Sequence, residues 1–325
     1  MRSSWLSRVS AWLSVMGAGV CVSTLCQAEE PSLKVPRFSV DNMDRSVDPG
    51  TDFYHFACGN WIKNNPVPSD KSRWAGFDEL QERNWQQIRG LLESATEDAK
   101  GGTKARRQVG DLYASAMDTN RLEALGFKPI ENSLRSIEGI QDTRQLIRLV
   151  GEFHRADIGG FFGSGVSADA KNSEIYAFEL GQGGLSLPDR DYYLGDGFAK
   201  IREQYLAHVA KMFQLAGETE ANATTHAATV MRLETALAKV SKTRVELRDP
   251  NANYNKWSLS DLRNRAGEID WDVYFDGLGA QSLKSVIVGQ TNFFQNLSEL
   301  VKTEPLADWK TYLRWHAIHS AAPYL

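Results

Sequence analysis

The chain has 325 residues, 42% hydrophobic, 24% charged and 10% aromatic, enough to bury a sizeable core and to exclude disorder as its main state. Its 37 Lys and Arg against 41 Asp and Glu leave a formal net charge of −4 with no basic stripe, which excludes a protein that grips nucleic acid through its own field. Beyond the first thirty residues no apolar run is long enough to span a bilayer.

Arg2 and Arg8 flank a short basic start, and Ala11 to Val22 is an apolar stretch broken by Ser14 and followed by Ser23 and Thr24. With small residues at Cys26 and Ala28, residues 1–28 read as a signal peptide cut after Ala28, which places the mature chain in the periplasm or outside the cell. An uncleaved membrane anchor is the alternative. Cleavage moves the net charge from −4 to −6 and removes Cys21 and Cys26, leaving Cys58 as an odd thiol in an oxidising compartment. Either Cys58 is buried and inert, or its partner lies in polypeptide outside this sequence.

Residues 29–47 are a linker or surface strap, with Pro and Asp scattered through to residue 50. Helices then dominate. Trp85, Ile88 and Leu92 share one face of a helix over about 78–94, and Val109, Leu112, Tyr113, Ala116 and Met117 follow the helical template without a miss. Asp142 caps a helix that carries Leu146, Leu149, Val150 and Phe153. Ile201, Tyr205, Val209, Met212 and Phe213 form another stripe, closed by Gly217, and Val230, Leu233, Leu237 and Val240 form a fifth. Gly159 to Ser167 and Glu174 to Leu180 read as a β-hairpin turning at Asp169 to Asn172, and Lys284 to Gly289 as a shorter strand. Phe293, Phe294, Leu297 and Leu300 begin a late helix, and Pro305 opens one more with Leu306, Trp309 and Leu313 on one side. The fold class is mainly α, with a small hairpin around 159–180.

A zinc peptidase helix needs two His at i and i+4 with a Glu beside the first, and the sequence has no such motif. His316 and His319 are the nearest approach, at i and i+3 with no Glu between them, and read as two ordinary helix histidines. Gly163-Ser164-Gly165 lacks the wider pattern of a nucleophile elbow, and the glycines from Gly159 to Gly165 lack a phosphate-loop Lys, so they read as hairpin geometry. Cys58 with His55 three residues before it fits no nucleophile arrangement. No catalytic residue and no metal ligand is assigned to this chain.

Five ordered stretches carry a family resemblance. Asp48-Pro49-Gly50-Thr51-Asp52-Phe53-Tyr54 running into Ala57-Cys58-Gly59-Asn60-Trp61, then Ser72-Arg73 with Phe77-Asp78, resemble the opening of the neprilysin and endothelin-converting-enzyme family of zinc metallopeptidases. Gly184-Leu185-Ser186-Leu187-Pro188-Asp189-Arg190-Asp191-Tyr192-Tyr193-Leu194 resembles its most recognisable N-terminal signature. Arg248-Asp249-Pro250 with Tyr254-Asn255-Lys256, and Tyr312-Leu313-Arg314-Trp315-His316 with Ala321-Ala322-Pro323-Tyr324-Leu325, continue it.

The resemblance covers residues 48–325 and implies the helical N-terminal domain of a two-lobed, gluzincin-type endopeptidase that encloses small peptides. It implies zinc at family level, held by an HExxH helix and a downstream ExxxD helix, neither of which occurs in these residues. The implied partners are peptide substrates and a C-terminal catalytic half, and the chain alone is expected to be inactive, incomplete at its C-terminal end. Arg73 is implied to clamp the free carboxylate of short substrates, and a guanidinium fork suits that task. Asp78 is implied to orient the fork, while the following Glu79, Leu80 and Gln81 leave the second Arg of some relatives without a counterpart. Asp189, Arg190, Asp191, Arg248 and Asp249 read as structural, Asp accepting backbone amides in capped turns and Arg bridging elements. The resemblance also implies that Cys58 pairs with a C-terminal Cys that these residues do not contain, so that it is a free thiol in this chain and disulfide-bonded in a complete version. A free-standing periplasmic binding module without peptidase activity is the rival reading.

Overall fold

The structure is a computed structural model that describes residues 39–71, 73–97 and 101–325. The expected signal peptide, the part of the expected linker before residue 39, and Ser72 lie outside the described residues. The chain divides into two compact units, one ending at Ser115 and one running from Ala116 to Leu325.

In the first unit, α1 (Phe53–Asn64) starts where the Asp52 carboxylate accepts the His55 backbone N–H at 3.0 Å. The preceding chain is fastened along α1. Asn60 donates its side-chain amide to the carbonyls of Asp41 and Met43 at 3.2 and 2.8 Å, and Lys63 reaches the Asp44 carboxylate at 2.6 Å. The Lys63 hydrogen bond, then those from Ser46, hold the Asp44 carboxyl down at about 2. A Cβ on Gly59 would come within 2.8 Å of the Asp44 Cβ, so close approach of the strap explains the glycine in Ala57-Cys58-Gly59.

Helices α2 (Gly76–Glu97) and α3 (Lys104–Ala116) follow. Both fall where the sequence period places them, yet their apolar faces stay open: Trp85 and Ile88 are each 52% exposed, and Leu112 is 72% exposed. Ala95 and Gly110 are the residues that bury, at the close contact between the two helices.

The second unit holds α4 (Thr119–Leu125), α5 (Glu131–Glu138), α6 (Thr143–Arg155), β1 (Phe162–Asp169), β2 (Asn172–Gln182), α7 (Arg190–Leu194), α8 (Ala199–Leu215) and α9 (Glu220–Val240). It continues with β3 (Asn255–Ser258), α10 (Leu259–Arg265), α11 (Trp271–Leu278), β4 (Ser285–Val288), α12 (Thr291–Thr303) and α13 (Leu306–Ala321). The expected hairpin is β1 and β2, and it is part of a four-stranded sheet in the order β1-β2-β4-β3, with β2 and β4 parallel and the other pairs antiparallel. β3 was not foreseen, because Asn-Lys-Trp-Ser carries a single apolar residue, whereas β4, equally short, shows itself by its Val-Ile-Val run. Pro305 sits just before α13, as its N-cap, rather than in its first turn.

The expected stripes of this unit are buried. Asp142 caps α6 by accepting the Gln145 N–H at 2.8 Å, and Leu146 and Val150 are buried with Leu233, Leu237, Phe294 and Trp309 in one core. A smaller cluster joins Tyr205, Val209, Phe213, Val230 and Trp315. α8 ends at Gly217 in the left-handed region, with the Glu218 N–H returning to the Phe213 carbonyl at 3.1 Å. α6 and α11 approach through reciprocal glycines, since a Cβ on Gly151 or on Gly277 would meet a carbonyl oxygen of the other helix at 2.3 Å.

Candidate functional site

Arg73 lies in the irregular segment before α2, and Asp78 stands in the first turn of that helix. The Asp78 backbone N–H donates to the Ala75 carbonyl at 2.9 Å, fixing the side chain to a rigid helix start, where a carboxylate is favoured. Arg73 Nη2 is 3.4 Å from Asp78 Oδ1, with the Arg73 side chain 80% exposed and that of Asp78 24% exposed. Asp78 Oδ2 is buried and has no hydrogen-bond partner among the described residues. The residues expected from sequence to form a clamp are thus together: a guanidinium in solvent, backed on one side by a half-buried carboxylate. An incoming carboxylate can meet the rest of the fork with two charge-assisted hydrogen bonds.

A second cation stands close in sequence but is engaged. Lys71 Nζ contacts Glu82 at 2.5 Å and lies over the Trp85 ring at 5.5 Å. Its pKa is raised, first by the Glu82 hydrogen bond. Immediately after Arg73 in the chain, residues Trp74 to Gly76 help line a cavity of about 720 Å³, together with an α1 wall bearing Tyr54, Cys58 and Trp61. Cys58 is a free, partly exposed thiol on that wall.

The family-like motifs of the second unit have structural tasks. The Asp189 carboxylate accepts the Asp191 N–H at 2.7 Å and pairs with Arg244 at 2.5 Å, while Arg190 bridges to the Ser241 carbonyl at 2.7 Å. Asp249 accepts the backbone N–H groups of Asn251 and Ala252 at 2.9 and 3.0 Å. Tyr254 and Lys256 reach across to the buried Asp169 at the hairpin tip, at 2.8 and 2.9 Å. The Lys171 backbone hydrogen bond, then those from Lys256 and Tyr254, hold the Asp169 carboxyl down at about 2. Tyr312 fastens the other end of the hairpin: its hydroxyl accepts the Phe161 N–H at 3.0 Å and donates to the Gly184 carbonyl at 2.7 Å.

The histidines do not converge. His316 is buried in the core, and His319 stacks on Trp315 at 4.9 Å. His154 is held between the Tyr274 hydroxyl at 2.9 Å and the Gly160 carbonyl at 3.0 Å. Among the described residues, no group of three or more His, Cys, Asp or Glu is arranged to hold a metal ion, so these residues do not fit a zinc centre. Nor is any helix among them long and apolar enough to cross a membrane. Sequence reasoning passed over Glu234, a carboxylate with zero exposure in the centre of α9. The signal was available: Glu234 lies four residues after Val230 and three before Leu237, on the stripe that was read as core.

The helical fold and its ordered motifs define a class, and the comparisons with known proteins give the family. A model of the N-terminal part of peptidase family M13 matches residues 49–325, and the chain belongs to that family of zinc metallopeptidases. It is 29% identical over 331 residues to an endothelin-converting enzyme homolog of Locusta migratoria, a match covering 94% of this chain and 44% of that protein. Human endothelin-converting enzyme 1 is 29% identical over 323 residues, covering 94% of this chain and 40% of the relative. Among solved structures, Mycobacterium tuberculosis zinc metalloprotease Zmp1 in complex with an inhibitor is similar with a TM-score of 0.82 at 29% identity, over 90% of this chain and 45% of that one. The chain spans less than half the length of the curated relatives it matches.

Proposed function

We propose that this chain is the N-terminal, substrate-enclosing portion of an exported zinc metalloendopeptidase that cuts small peptides, and that Arg73, oriented by Asp78, receives the substrate's free carboxylate. The observation that carries this reading is the exposed Arg73 fork held 3.4 Å from a carboxylate on the first turn of α2. Family membership over residues 49–325 supplies the reaction class, peptide hydrolysis. Because the described residues do not fit a zinc centre, no chemical step is assigned to them; in this reading the water-activating groups belong to a C-terminal catalytic half. What this chain contributes is binding and orientation. A carboxylate seated on Arg73 fixes one end of the peptide and thereby its register along the enclosure.

The test uses the complete enzyme containing this chain and matched peptides whose released dipeptide ends in a free acid or in an amide. Arg73→Ala should lower kcat/KM for the free acid by about 10–100-fold more than for the amide, the size of one or two charge-assisted hydrogen bonds. Arg73→Lys should fall between, keeping charge but losing the planar fork. Equal losses on both peptides would remove Arg73 from the site.

A further inference from the structure

Glu234 is met by hydroxyls from three places. Ser186 Oγ donates to Oε1 at 2.7 Å, and Tyr193 on α7 and Tyr205 on α8 donate to Oε2 at 2.8 and 2.7 Å. Around them the network is closed. Trp315 Nε1 on α13 donates to Ser186 Oγ at 2.9 Å, and the backbone N–H groups of Ser186 and Leu187 donate to the Tyr193 hydroxyl at 3.2 and 2.9 Å. The basic group facing the carboxylate is His316, whose Nε2 is buried, has no hydrogen-bond partner among the described residues, and lies 3.7 Å from Glu234 Oε1.

Other cations on the surrounding helices have partners of their own: Arg190 of α7 donates to the Ser241 carbonyl, Arg202 of α8 to the Tyr192 and Gly195 carbonyls, and Lys310 of α13 to the Glu138 and Ile140 carbonyls. Arg232 of α9 is engaged by Glu304 and Asp308, Arg314 of α13 by Glu218 and Glu138, and Lys302 of α12 by Glu268. Burial raises Tyr193, Tyr205 and Tyr312, which keeps them neutral, and lowers His154 and His319. The three hydroxyl hydrogen bonds favour the Glu234 anion, but with no cation beside it the cost of burial outweighs them. A neutral acid escapes that cost, provided its O–H finds an acceptor, and His316 Nε2 is an acceptor without a donor.

We propose that Glu234 and His316 form a buried acid–imidazole pair sharing one proton, which keeps the junction of α7, α8, α9 and α13 uncharged over the mildly acidic range. Glu234 Oε1–H donates to neutral His316 Nε2, and the present 3.7 Å separation closes to a hydrogen bond by a shift of less than about 1 Å. The balance is simple: the unfolded chain carries its one proton as an imidazolium beside a carboxylate, and folding moves that proton from nitrogen to oxygen. Desolvation pushes the two groups in the directions this requires, Glu234 up to about 7 and His316 down to about 3.

The consequence for stability has a definite sign. Glu234 ionises at about 7 instead of 4.5, so its contribution is present below 4.5 and lost as pH rises through 7. His316 protonates at about 3 instead of 6.5, so its contribution is present above 6.5 and lost as pH falls towards 3. Between 4.5 and 6.5 the two slopes cancel.

Single variants uncover them. Denaturant unfolding of the full chain between pH 4.5 and 6.5 should show Glu234→Gln gaining stability relative to wild type as pH rises, by up to about a hundredfold in the folding equilibrium constant, one proton over two units. His316→Gln should show the opposite slope, losing stability relative to wild type. Profiles of both variants parallel to wild type would overturn the pair. Should either variant fail to fold, 13C-carboxyl NMR of the wild-type chain at pH 5.5 decides: a protonated Glu234 supports the proposal and an ionised one refutes it.

Discussion

The two units build amphipathic helices of the same kind and put them to opposite use. In the second unit the stripes of α6, α8, α9 and α13 meet one another, and Leu146, Val209, Leu233 and Leu313 are at most 1% exposed. In the first unit the stripes of α2 and α3 remain open, with Trp85, Ile88, Leu91 and Leu112 all more than half exposed. Sequence period reports which face of a helix is apolar, whereas burial depends on what lies against it. These exposed apolar side chains sit in the same unit as Arg73 and its neighbouring cavity.

The contrast is broken most directly by truncating one tryptophan in each unit. Trp309 is 1% exposed and stacks on Phe161 at 4.5 Å, so Trp309→Ala should cost about 3–5 kcal/mol in denaturant unfolding. Trp85→Ala should cost less than about 1 kcal/mol in the same chain. Comparable costs would show that the open stripe of α2 is covered in solution. The next effect is smaller. Tyr312→Phe leaves the Phe161 N–H and the Gly184 carbonyl without their partner and should cost about 1–3 kcal/mol, with faster amide exchange at Phe161. An unchanged midpoint would detach the hairpin from α13.

Acid sharpens the comparison further, because among the described residues each unit has a strongly depressed carboxyl, Asp44 in the first and Asp169 in the second. Both go from 3.8 to about 2, so each contributes stability that is present above 3.8 and lost as pH falls through 2. Asp169→Asn should flatten the acid limb of the unfolding curve between those values; an unaltered limb would mean that Tyr254 and Lys256 do not hold an ionised Asp169. Smallest of all, Arg73→Ala should change stability by less than about 0.5 kcal/mol, since the guanidinium is in solvent.

Much of the second unit was legible from residue spacing. The caps at Asp142 and Gly217, the stripes of α6, α8 and α9, and the turn between Asp169 and Asn172 all follow from local chemistry. β3 escaped because Trp257 is its one apolar residue, and α7 because its five residues are set by the Asp189 cap and by Tyr193 reaching Glu234 across the fold. The pairing of Arg73 with Asp78 was implied by the family resemblance and not by spacing; in the structure the two side chains are 3.4 Å apart. Invisible in the sequence were the engagement of Lys71 by Glu82 and the meeting of Glu234 with His316, 82 positions apart, since long-range pairing leaves no local mark.

The account rests on this chain forming a wall that receives the substrate's carboxylate while the metal chemistry belongs to other polypeptide. Zinc content of the purified chain after dialysis, read by mass spectrometry beside a chelator-controlled peptide cleavage assay, tests that most directly. The account expects zinc far below one per chain and no chelator-sensitive cleavage; one tightly held zinc per chain, with cleavage that a chelator abolishes, would contradict it.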